Sequence, residues 1–381
     1  MFTRSRLLAL VILALVAFAL TPPGRSAVMA ALLLPHFFPG SVPRPLRLLT
    51  PAPSVQTIEV PGAPGRMVAD LYQPAGTGRH PAMVLLLGVN PLPRDHEQVT
   101  TLADGIARAG IITVVAESDA LLGGEIRPEE VDNLVALFEY LERQPSIDPQ
   151  RIGFSGFCVG AVLEVLAASD PRIADRVAYV NAFSVYADPL DVLRAVLTNS
   201  MPVPEGRAPW TASDLTREIF MKQTIAGLPS QRDRALLARE LVEGTALTTQ
   251  EIESLSGVAA QLRDLLTTTD PGRVETLIAA LPDDVTASLR RLSPAAVVPR
   301  LRATTFLMHD QNDTYLPVSG ARQLATLLPP EASSRYTEFR LFAHVVPSGI
   351  DDPILFAGEM AKLFDHIRAV MQAALAGRRS S

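Results

Sequence analysis

The sequence predicts an α/β protein built on a doubly wound, mostly parallel sheet, interrupted by a helical cap insertion and preceded by an apolar N-terminal segment. Three observations carry this reading. Short apolar runs alternate with segments of helical period between residues 56 and 188. The alternation stops at about Pro189 and resumes after Ser293. An unbroken apolar stretch, Leu7 to Leu20, opens the chain behind Arg4 and Arg6.

Composition narrows the class. The 381 residues are 48% hydrophobic and 19% charged, enough for a large core and too apolar for global disorder. The net charge of −6 argues against a nucleic-acid partner. A single cysteine, Cys158, excludes an intrachain disulfide framework and a cysteine-based zinc site. The six histidines show no HExxH or paired spacing, so no metal is expected.

The N-terminus reads as a signal or membrane-anchor segment over residues 1–40. As a helix, Leu7–Leu20 would span about 21 Å, short of the roughly 30 Å of a bilayer core. A second apolar patch, Ala27–Phe38, would lengthen an anchor or lie at a membrane interface. Retained anchor, cleaved signal and a helix packed on the protein's own core all stay open. The first two put the catalytic body outside the cytoplasm, with the membrane as a partner.

Residues 41–55 read as a proline-rich linker. Gln56–Val60 and Met67–Tyr72 suggest a hairpin through Pro61-Gly62. Ala82–Leu87 and Ile111–Ala116 are apolar enough for buried parallel strands. Helices are expected at Val99–Ala109, Glu129–Arg143 and Cys158–Ala168, with strands at Arg151–Ser155 and Arg176–Ala182. Residues 189–293 show only helical runs, the best being Thr211–Lys222, Arg232–Glu243, Thr249–Thr267 and Val274–Leu281. An insertion after a sheet strand lies where α/β proteins bind ligands, so a lid is expected, bulk or an oligomer contact being the alternative. The core, begun over 56–188, resumes over 294–378 with strands Ala303–Met308 and Tyr336–Phe342 and helices Val318–Leu328 and Pro353–Leu375.

Gly156-Phe157-Cys158-Val159-Gly160 lies between an expected strand and an expected helix. This is the spacing of a nucleophile elbow with cysteine as the central residue. The sharp turn lifts the side chain above the sheet, and its flanking residues must lack a Cβ for strand and helix to approach. The helix N-terminus then favours a thiolate and a developing oxyanion. An inert buried thiol is the alternative. The overlapping frame around Ser155 fails because Phe157 replaces its second glycine.

A thiol nucleophile needs a base and an orienting acid, which in this arrangement follow in the order acid, histidine. Asp313, with Asp310 as its rival, falls on the loop after one late strand, and His344 directly after the next. Oxyanion donors are expected from the backbone of Val159 and of Val89, with Gly88 allowing the close approach. His96 and the Glu117-Ser118-Asp119 strand end are candidates for the pocket wall.

The chain resembles the α/β-hydrolases, specifically the dienelactone hydrolase-like family. The likeness rests on the Asp148-Pro149-x-Arg151-Ile152-Gly153 lead-in, the elbow, the Asp313-x-x-x-Pro317 turn and the late His344, over about residues 55–188 and 295–375. It implies a Cys158–His344–Asp313 triad that hydrolyses a small-molecule ester, lactone or thioester without a cofactor. Ala161 stands where the family often has a glycine, no histidine precedes Gly88, and the compact members lack the insertion and the apolar N-terminus. Acyl transfer through the same elbow, as in polyhydroxyalkanoate synthases, and a non-catalytic membrane-tethered binding protein are the alternatives. The sequence carries no signature of an oligomeric state.

Overall fold

A computed structural model of the chain describes residue 13 and residues 17–38, 40, 42–60, 67–89, 93–332 and 334–377. Its principal strands are β1 (Ser54–Glu59), β2 (Met67–Gln73), β3 (His80–Leu86), β4 (Ile112–Ser118), β5 (Ile147–Phe157), β6 (Tyr179–Phe183), β7 (Ser200–Val203), β8 (Gly206–Pro209), β9 (Thr304–Asp310) and β10 (Arg335–Phe339). Eight of them form one sheet in the order β1-β2-β4-β3-β5-β6-β9-β10. β2 runs antiparallel to β1 and β4, and the other neighbours are parallel. This is the α/β-hydrolase architecture expected from the sequence.

The principal helices are α1 (Pro22–Leu33), α2 (Pro45–Leu49), α3 (Glu97–Arg108), α4 (Glu130–Glu142), α5 (Val159–Ala168), α6 (Pro189–Thr198), α7 (Asp214–Ala226), α8 (Gln231–Leu241), α9 (Thr249–Glu253), α10 (Gly257–Thr267), α11 (Pro271–Ala280), α12 (Asp283–Arg291), α13 (Val318–Leu327) and α14 (Pro353–Ala376). Apolar faces of α4, α5 and α13 cover one side of the sheet. Those of α1, α3 and α14 cover the other. Strands buried on both faces explain the continuous apolar runs, such as Ala82–Leu86. The strand order reverses between β3 and β5. The carboxyl ends of those two strands therefore border the crevice where open α/β sheets bind ligands.

Residues 189–293 carry a core of their own, with Leu193, Leu237, Leu262, Leu265 and Val274 fully buried. Two expectations change here. The segment is not wholly helical, because β7 and β8 pair as a short antiparallel hairpin. The helix expected over Thr249–Thr267 is two helices, because Ser256 caps α10 by accepting the N–H of Ala259. The sequence reading also passed over α6, started by Pro189 behind the Asp188 cap, and α12.

The run Leu7–Leu20 lies largely outside the described residues, as does the turn at Pro61-Gly62. Among the described residues no helix is long and apolar enough to cross a membrane. The second patch, Ala27–Phe38, packs into the protein instead. Ala30, Leu33 and His36 are buried, and α1 lies against α14. The proline-rich stretch that follows holds α2, whose Leu46 is also fully buried.

If α1 belongs to the core, Leu33→Ala should lower the unfolding free energy by about 2–5 kcal/mol in a urea titration. A change within about 0.5 kcal/mol would show that α1 contributes nothing to it.

Candidate active site

Cys158 follows β5 and caps α5 with φ 55° and ψ −132°, a left-handed conformation that L-residues avoid. Its N–H donates to the Phe183 carbonyl at 2.8 Å, which fastens the turn to β6. The helix then passes directly under β3. A Cβ on Gly160 would lie 2.4 Å from the Leu86 carbonyl oxygen, so only glycine fits. Gly88 is under the same constraint from above, because a Cβ there would lie 2.8 Å from the Cys158 Cβ. The loop after β3 is thus pressed onto the elbow. As the first residue of α5, Val159 presents an N–H that has no partner within its helix. Val89 lines the cavity above Cys158.

His344 follows the two-residue strand Phe342–Ala343 and also has positive φ, 60°. Its Nδ1 donates to Asp313 Oδ2 at 2.8 Å. Asp313 is the acid that meets this histidine. Asp310, the rival, accepts the N–H groups of Asn312 and Phe342 and so shapes the loop leading to His344. Burial favours protonation of Asp313. The charge and hydrogen bond of His344, helped by His309 and the Ser184 hydroxyl, more than offset this and hold the carboxyl at about 2. Burial likewise disfavours the imidazolium of His344, but Cys158 and Asp313 beside it raise its pKa to about 10. Cys158, His344 and Asp313 therefore converge above the carboxyl ends of β5, β6 and β9.

Three residues join them that sequence reasoning missed. Ser184 follows β6 with φ 59° and donates to Asp313 Oδ2 at 2.5 Å, its Oγ lying 3.1 Å from His344 Nδ1. It could have been found by the argument that found His344, being the first residue past the end of a parallel strand. The Tyr315 ring stacks on His344 at 4.4 Å between centroids and 23° between planes. Trp210, just past β8, donates its indole N–H to the Asp313 carbonyl at 2.7 Å. Ser213 and Thr216, at the start of α7, bond the carbonyls of Thr314 and Tyr315. The insertion therefore braces the acid loop.

Above Cys158 lies a cavity of about 540 Å³. Its roof is not the expected lid, since the insertion supplies only Leu215 to the lining. The roof comes from the N-terminal arm, through His36, Phe37, Phe38, Gly40 and Arg44. His96, which caps α3, lines the cavity as the sequence suggested. The Glu117 end of β4 does not, because Glu117 pairs with Arg94. His309 is buried beside Asp313, burial pushing its pKa down, and His366 is buried beneath the sheet.

Residues 102–190, which contain the elbow, match the model of the dienelactone hydrolase family. Over that segment the chain is similar to the dienelactone hydrolase family, and its fold is that of the α/β-hydrolases. It is 24% identical over 173 residues to a probable 2-oxo-3-(5-oxofuran-2-ylidene)propanoate lactonase from Bradyrhizobium, covering 40% of this chain and 68% of that one. Among solved structures it resembles a puromycin-hydrolysing peptidase from Mycobacterium tuberculosis, with a TM-score of 0.50 and 12% identity over 86% of this chain and 40% of that one. Dienelactone hydrolase from Anabaena variabilis aligns with a TM-score of 0.45 and 11% identity, covering 86% and 99% of the two chains. The likeness is to enzymes that cleave carboxylic esters or lactones, and Cys158, His344, Gly88 and Val89 line one cavity.

The folded protein holds the His344 proton more tightly than the unfolded chain. The pair's contribution to stability is therefore complete below the ordinary histidine value of 6.5 and lost as pH rises through about 10. Asp313→Asn should bring the His344 titration, followed by NMR of its imidazole, down by more than one unit and shrink the loss of thermal stability between pH 7 and 10. An unmoved titration would show that Asp313 does not set the state of His344.

Proposed function

We propose that the enzyme hydrolyses a carboxylic ester, lactone or thioester by a Cys158–His344–Asp313 triad through a thioester acyl-enzyme. The observation that carries this reading is the meeting of a strained, cavity-lining cysteine with a histidine whose proton is held by that cysteine and a buried carboxylate. Asp313 and the stacked Tyr315 fix the plane of His344, so only its Nε2 is free to serve the reacting groups. His344 takes the Cys158 proton, and the thiolate at the α5 N-terminus attacks the carbonyl carbon. The carbonyl π-bond pair moves to oxygen, where the N–H groups of Val159 and Val89 receive it. Collapse breaks the bond to the leaving group, which departs with the proton from His344. Water then gives a proton to His344 as its oxygen attacks the thioester. The acid leaves and the thiolate regains its proton.

Cys158→Ala should lower kcat for activated esters by at least about 10³-fold. Mass spectrometry of the wild-type enzyme quenched during turnover should find the acyl group on the peptide containing Cys158. Full activity in Cys158→Ala, or an acyl group on another residue, would overturn the triad.

A further inference from the structure

The cavity over Cys158 has a neighbour. A second cavity of about 40 Å³ lies on the same sheet face, against α3 and α14, and shares five lining residues with the first: Phe37, Leu85, Leu102, Phe157 and Phe183. The geometry is that of adjacent strands read downward. Side chains two apart on a strand share a face and are displaced by about 6.6 Å. Leu85 leads to Met83, Phe157 to Ser155 and Phe183 to Asn181, and each second member lines only the deeper cavity.

Three of the chain's nine methionines, Met83, Met308 and Met371, wall that deeper space. Unbranched thioethers adjust to a guest more readily than branched side chains. The far wall is a closed polar chain. His366 bridges the Thr337 hydroxyl at 3.0 Å and the Asn181 side-chain oxygen at 2.9 Å, and Asn181 donates to Ser155 at 3.0 Å. Burial holds His366 neutral, at about 3. No charge therefore awaits a charged group at this end, and the space suits about three groups of methylene size.

We propose that the paired cavities receive an extended, uncharged apolar acyl chain, whose carbonyl lies at Cys158 and whose tip lies among Met83, Met308 and Met371 below Phe157. This rests on the reading of Cys158 as the nucleophile. After the leaving group departs past His344, the acyl group stays on Cys158. The deeper cavity lies beneath β5, the strand that leads into that residue, and His344 does not line it. The substrate class is accordingly a medium-chain acyl ester or thioester, chosen by acyl length more than by the alcohol.

The experiment is kcat/KM of the full chain for 4-nitrophenyl esters from acetyl to dodecanoyl, beside acetate esters of alcohols of matching lengths. Each methylene buried should add about fourfold until the tip is full. Met371→Trp, which fills the deeper cavity, should lower the ratio of the longest good ester to the butyryl ester roughly 10- to 50-fold. Met83→Ala, which widens it, should move the optimum to a longer chain, and the alcohol series should respond to neither. Turnover with a flat acyl profile, or with an optimum that neither folded variant moves, overturns the channel and leaves the triad standing. No turnover of any ester, with Cys158 unreactive towards alkylation at neutral pH, overturns the triad and the channel together.

Discussion

A carboxylate taken out of water costs several kcal/mol unless its oxygens are paired, and Asp313 meets that demand with groups from three parts of the chain. Its Oδ1 receives the N–H groups of Tyr315 and Leu316 at 2.7 and 3.1 Å, which closes its own loop. Its Oδ2 receives His344 and Ser184, so the ends of β6 and β9 and the histidine loop must converge on one point. Trp210 holds the backbone of the same residue. The position of His344, and with it the chemistry available at Cys158, depends on keeping this one charge satisfied.

The convergence stores conformational strain. Among the described residues four non-glycines have positive φ, and three of them are Cys158, Ser184 and His344. Such conformations cost on the order of 1–3 kcal/mol each and persist where surrounding contacts overdetermine them. Here those contacts are visible: the Cys158 N–H bonds β6, the Ser184 N–H bonds the Met308 carbonyl of β9, and both side chains bonded to Asp313 are locked by it. The fourth, Asn199, simply ends α6.

Much of this was legible in the chain. Buried parallel strands announce themselves as apolar runs, and the glycines flanking Cys158 declare a turn that a Cβ would obstruct. The choice between Asp310 and Asp313 was not local. Both sit on one loop, and only the fold decides which carboxylate reaches a histidine some thirty residues on. Ser184, Tyr315 and Trp210 carry no spacing signature because their roles arise from long-range packing. The β7–β8 hairpin hid behind Pro202 and Pro209, which depress strand signal at a sheet edge. The roof of the cavity was misread for a related reason. An apolar N-terminus looks the same in sequence whether it seeks lipid or a groove in its own protein, and Ala30, Leu33 and His36 take the second course.

That roof has a consequence for the order of assembly. The arm that covers the cavity precedes the whole sheet in sequence, while α14, against which α1 lies, follows it. Contacts so distant in sequence form late, after the ends have been brought together. The sheet and the strained elbow can therefore form while the arm is still undocked, and the cavity gains its last wall as a late step of folding.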